Sequence, residues 1–161
     1  MDPRLAPLAH TLHLNTRLLE NCLAGVDDAQ ALRRVTPETN SMAFLVAHLA
    51  DARHFLAGVL GTPLENPLAE ILEYGKSQDE IGELPPLGEL LAIWRRIGAH
   101  LDDTLPSIGA GRLDAESGLR FPIGDRTTLG SVAFLVQHDS YHLGQVSLLR
   151  RAFGLPAMSY R

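Results

Sequence analysis

The sequence predicts an all-α protein, a four-helix bundle with two long connections. Three observations carry this. Four segments repeat apolar residues at three- and four-residue spacing, which gathers them on one face of a helix. Gly, Pro or a small capping residue punctuates the ends of these segments. The chain has 161 residues, 45% hydrophobic and 20% charged. That is the length and balance of one globular domain able to bury a sizeable core. Amphipathic helices in such a domain bury their apolar faces against each other.

Helix one is expected over residues 4 to about 25, with Leu5, Leu8, Leu12, Leu19, Cys22 and Val26 at helical spacing. Asn15 interrupts that stripe. It reads either as a core-edge residue with a local hydrogen bond or as a contact beside the histidines described below. His10 and His13, near the start, read as surface or core-edge residues. Gly25 and Asp27-Asp28 close the helix. Thr36 to Asn40 form a loop, and Asn40 or Ser41 caps helix two. Helix two runs to about Leu60, where Gly61-Thr62-Pro63 stops it. Residues 62 to 86 form the first long connection, with a short helix expected over Pro67 to Tyr74. Pro85-Pro86 opens helix three, which runs to about Leu105. Its face of Leu87, Leu90, Trp94, Ile97 and Leu101 is unbroken, so helix three reads as structural. Residues 106 to 126 form the second connection, with a short extended pair expected within Gly118 to Asp125. Arg120, Phe121 and Arg126 are candidates there for the rim of a pocket. Helix four starts at Thr128 and ends near Phe153-Gly154.

Helix four carries the break in pattern. Ser131, Leu135, His138, His142, Gln145 and Leu149 share one face. At 3.6 residues per turn, His138 and His142 stand about 40° apart and one turn apart. A core-facing stripe is normally apolar throughout, and buried imidazole costs free energy unless partnered. Neutral imidazole is also the commonest protein metal ligand. An internal echo supplies a third ring. Ser41-Met-Ala-Phe-Leu-Val-Ala-His48 on helix two repeats Ser131-Val-Ala-Phe-Leu-Val-Gln-His138. Ala52 then stands where His142 stands in the second copy, and its small side chain leaves room for a water or a substrate. His54 lies about 120° round from His48 and should not share its site. Asp51, one turn past His48, is either a solvated acid or a carboxylate that orients a ligand histidine.

Net charge is −5 and the arginines fall in scattered pairs, so no basic stripe tracks a phosphate backbone and nucleic-acid binding is disfavoured. The single cysteine, Cys22, allows no internal disulfide. Met1-Asp2-Pro3-Arg4 does not read as a signal peptide, and no apolar run approaches the roughly 20 residues that span a bilayer. The expectation is a cytoplasmic protein that binds neither nucleic acid nor membrane.

The motifs Phe44-Leu-Val-Ala-His48-Leu49 and Gln137-His138-Asp-Ser-Tyr-His142-Leu-Gly-Gln145 resemble those of the DinB-like family. The resemblance covers essentially the whole chain, including helix order, both long connections and the Gly154-Leu155-Pro156 end. It implies a four-helix bundle related to bacillithiol- and mycothiol-dependent enzymes, with a divalent metal (Zn, Ni, Fe or Mn) held by His48, His138 and His142. It also implies a homodimer, which the apolar tail from Phe153 to Met158 would serve because that tail has no evident partner within four helices. Three imidazoles with open positions are the pattern of a catalytic site, whereas structural zinc is closed by four protein ligands. Two functional readings stand open. One is a metal-dependent thiol S-transferase or hydrolase acting on a small molecule, with a low-molecular-weight thiol as one substrate, and with Gln145 touching the metal's ligand or orienting an imidazole. The other is a non-catalytic metal- or small-ligand-binding bundle.

Overall fold

The computed structural model describes residues 1–73 and 76–160, and among these every regular element is helical. Six α-helices follow in order: α1 Ala6–Leu23, α2 Asp28–Leu32, α3 Met42–Leu60, α4 Leu87–Thr104, α5 Ala110–Asp114 and α6 Thr128–Ala152. The four long ones, α1, α3, α4 and α6, form the expected bundle. Two of the helix starts use the expected chemistry. The Ser41 side chain accepts from Phe44 N at 3.2 Å, and Thr127 accepts from Gly130 N at 3.2 Å, each satisfying an otherwise unpaired amide of the first turn. At its far end α3 stops at Gly61, whose φ of 82° is the left-handed cap that glycine adopts without a Cβ penalty.

The connections hold small elements that periodicity missed. α2 and α5 are five residues each, too short for an amphipathic repeat to show. α2 begins because Asp27 accepts from Gln30 N at 2.7 Å. The segment from Pro67 makes turns rather than the expected short helix, and its end at Tyr74 lies outside the described residues. The extended pair expected within Gly118 to Asp125 reduces to one antiparallel bridge, Glu116 to Thr127, just outside it.

Two apolar clusters fill the bundle. One gathers Leu19, Met42, Leu45, Leu90, Trp94 and Val146; the other gathers Leu5, Leu12, Leu56, Ile97, Leu101 and Val132. Burying each such side chain contributes about 1.5–3 kcal/mol. Between them, at intermediate positions on the four long helices, lies a polar layer. Arg53 of α3 donates through Nε and Nη2 to Asp139 Oδ2 of α6 at 3.1 and 2.6 Å, and both side chains are only 2% exposed. From α1, Thr16 Oγ1 and the Leu12 carbonyl accept from the same guanidinium at 2.5 and 2.9 Å. From α4, the Trp94 ring lies 3.6 Å below it. Every charge in the layer is thus paired and hydrogen-bonded, the condition under which burial of ions is tolerated.

The tail corrects one expectation. Phe153 and Met158 pack on the first apolar cluster. Arg150 holds the turn by donating to the Pro156 carbonyl at 2.7 Å and to the Cys22 carbonyl at 3.1 Å. Its partner is therefore its own bundle, so the tail gives no reason to expect a second copy. α3 is long and apolar enough to cross a membrane by length and composition, but most of that surface is taken up in the bundle core.

Candidate metal centre

The three histidines meet where α3 passes α6. Ser41 and Thr127 fix where each helix begins, and the shared apolar run sets His48 and His138 at matching positions. His48 Nε2 lies 3.0 Å from His138 Nε2, and His142 Nε2 lies 3.1 Å from the same atom. All three ligand atoms fall within 4.8 Å of one another. The rings cross at steep angles, 63° for His48 with His138 and 73° for His138 with His142. On the outer side Phe44 lies parallel to His48, ring centroids 6.1 Å apart.

Hydrogen bonding alone does not satisfy this arrangement. A neutral imidazole nitrogen carries one hydrogen or one lone pair, in the ring plane. His138 Nε2 can therefore make one hydrogen bond, yet two ring nitrogens approach it. A divalent ion would resolve the conflict. Bonds of about 2.0–2.1 Å place two ligand nitrogens about 2.8–3.4 Å apart for angles between 90° and 109°, a span that includes both separations from His138 Nε2. The protonation states agree. His142 Nδ1 donates to Gln145 Oε1 at 2.6 Å, which leaves Nε2 bare and aimed at the other two. Burial pushes the pKa of His48 down to about 4, with His142 adding to it. Burial likewise pushes His138 down to about 4, assisted by His142 and His48 and opposed by Asp139. Both rings are thus neutral at neutral pH, as a metal ligand must be. His138 Nδ1 is buried with no partner among the described residues.

Two cavities reach the cluster. A cavity of about 860 Å³ opens on His48 and His138, walled by Phe55, Phe121, Phe134 and Leu135. A smaller one of about 470 Å³ reaches His48 and His142 past Asn40, Glu73 and Lys76. Asp51 lines both.

The other sequence candidates sort by geometry. Gln145 orients an imidazole, one of the two roles expected of it. Asp51 accepts from Asn66 Nδ2 at 2.7 Å rather than holding a histidine, and burial raises its pKa. Asn15 is buried and donates to Ser140 Oγ of α6 at 3.0 Å, a bond between helices rather than the local one expected of a core-edge residue. His54 donates from Nδ1 to the Ala50 carbonyl at 2.8 Å; it stands outside the triad, but it lines the larger cavity beside His48, which its helical angle alone did not suggest. His100 bonds the Thr62 carbonyl, and His10 and His13 are exposed. Arg120 and Phe121 line the larger cavity as expected, together with Ala52. Arg126 does not: its carbonyl accepts from Ser117 N at 3.0 Å beside the bridge. Sequence reasoning missed the Arg53–Asp139 pair. The signal was present, because one charge of each sign interrupts an otherwise apolar stripe, Leu49–Arg53–Leu56 on α3 and Val136–Asp139–Leu143 on α6.

Comparison with known proteins settles the family. The DinB superfamily profile matches residues 11–146. The chain belongs to the DinB superfamily. Among solved structures, a conserved protein from Enterococcus faecalis superimposes with a TM-score of 0.68 at 18% sequence identity, covering 92% of this chain and 95% of that one. At that identity the likeness is one of fold. A search of curated proteins gives no match. In this DinB superfamily chain, His48, His138 and His142 form a group that could hold a divalent metal.

Proposed function

We propose that this DinB superfamily chain is a metal-dependent enzyme that holds one divalent ion on His48, His138 and His142 and catalyses thiol transfer or hydrolysis on a small molecule. The observation that carries the reading is the pair of close approaches to His138 Nε2, at 3.0 and 3.1 Å, which a hydrogen-bonded core leaves unsatisfied. A bound ion of this kind supplies Lewis acidity, lowering the pKa of a water or thiol. The protein's own groups do the rest. Gln145 fixes the tautomer of His142, and burial keeps His48 and His138 neutral. Three neutral ligands leave the full charge of the ion for whatever binds beside them. The phenylalanine wall of the larger cavity keeps water from a substrate's apolar portion, and the smaller cavity gives a second, more polar approach. Two approaches to one centre suit a reaction between two molecules, which favours thiol transfer over hydrolysis.

The test is to load the protein with zinc, manganese or nickel and assay electrophile conjugation with a panel of small thiols, running ester and amide hydrolysis in parallel. We expect metal-dependent turnover with at least one thiol, lost in His48→Ala. If neither activity depends on metal and His48→Ala alters only thermal stability, the non-catalytic metal- or ligand-binding bundle replaces the enzyme.

A further inference from the structure

The larger cavity has a built polarity. Its wall is a ladder of aromatic rings that descends to the histidines. Phe55, 46% exposed, meets Phe121 edge-on at 6.4 Å between centroids. Phe121 stacks on Phe134 at 4.4 Å and 17°. Phe134 in turn lies 6.4 Å from His138. Such a wall offers ring faces and edges to a flat apolar ligand. The cavity's volume of about 860 Å³ lies within the range of small-molecule sites.

Besides histidines, one acidic and one guanidinium side chain line this cavity. Asp51 sits one turn beyond His48 and is engaged by Asn66. Arg120 is exposed, next in sequence to Phe121, and among the described residues it makes no ion pair or hydrogen bond. A guanidinium is weakly hydrated and presents a planar fork matched to a carboxylate. With no partner among the described residues, it is available to a ligand.

We propose that this cavity is the binding site for a small aromatic carboxylate, its ring against Phe121 and Phe134 and its carboxylate on Arg120, so that the other end of the molecule reaches His48 and His138. The location of the reacting end rests on the metal-dependent reading above, whereas the preference for an aromatic anion does not.

The experiment uses the full chain stripped of metal by a chelator, so that no ion competes for the carboxylate. Three probes of one ring system are titrated calorimetrically: 2-naphthoate, 2-naphthylmethanol and 2-naphthylmethylammonium. Naphthoate should bind about tenfold tighter than the alcohol, the scale of a charge-assisted hydrogen bond, and the ammonium should bind no better than the alcohol. Arg120→Gln should bring naphthoate to the level of the alcohol, and Arg120→Lys should keep part of the preference. Phe134→Ala should weaken naphthoate and the alcohol alike. Each variant's fold is checked by its circular dichroism melt, and Arg120, being exposed, can be replaced without touching the core. Equal affinity for the three probes, preference for the ammonium, absence of binding, or a naphthoate preference that survives Arg120→Gln would each overturn the proposal. Because these titrations contain no metal, their failure and a failure of the histidines to bind an ion are separate results.

Discussion

The imidazole of His142 illustrates how one neighbour decides what a side chain can do. Its Nδ1 hydrogen is fixed on Gln145 Oε1 at 2.6 Å, so the lone pair is at Nε2, on the side of His48 and His138. Outer partners of this kind typically affect metal affinity by about 10–100-fold. Gln145→Ala should therefore weaken zinc binding by about that factor in a competition titration with a chromophoric chelator. Gln145→Glu, which keeps an acceptor in place, should bind at least as tightly as the native protein. Equal affinity in all three proteins would remove Gln145 from the site. The triad itself was legible in the sequence, because a histidine at the end of both copies of an apolar run is a coincidence that packing does not require. The role of Asp51 was not legible, since its partner Asn66 lies in a connection without periodicity. Asn15 was half legible: its place in an apolar stripe was plain, but its partner Ser140 comes from another helix.

The helices themselves were legible wherever their apolar repeat exceeded two turns, and illegible in α2 and α5, whose five residues are too few to show a repeat. α6 shows what the loop before it demands. A Cβ added at Gly130 would stand 2.6 Å from the Asp125 carbonyl oxygen, whereas one added at Gly144 would meet nothing within 4 Å. Both glycines are inside the same helix, where alanine is ordinarily favoured by about 0.8–1.0 kcal/mol. Gly144→Ala should therefore raise the stability by up to about that amount. Gly130→Ala should lower it, because the Asp125 turn must move away from the α6 start to admit the methyl. Chemical denaturation of the two variants checks this, and a gain of stability in Gly130→Ala would show that the loop is not held against α6 as described.

Across the whole molecule, the Arg53–Asp139 layer ties the four long helices together at mid-height, and it does so next to His138. Each end interrupts an apolar stripe, but the stripe does not say which opposite charge it meets on another helix, so sequence periodicity gave the bundle but not its register. Removing one partner leaves a buried, unpaired charge, at a cost of about 3–5 kcal/mol. Arg53→Met and Asp139→Leu should each destabilise by about that much, while the double variant should recover most of the loss, since apolar side chains of similar volume replace both ions. Additive losses in the double variant, measured by urea unfolding, would mean that the two side chains act independently. The same layer sits between the two apolar clusters, so it fixes how α3 slides along α6 and hence where His48 meets His138. The central claim is that this meeting point holds one ion. Its most direct measurement is metal content by inductively coupled plasma mass spectrometry, on protein purified without an affinity tag and reloaded with zinc. The account predicts about one ion per chain in the native protein, in His54→Ala and in His100→Ala, and almost none in His142→Ala. Equal metal content in all four proteins would contradict it.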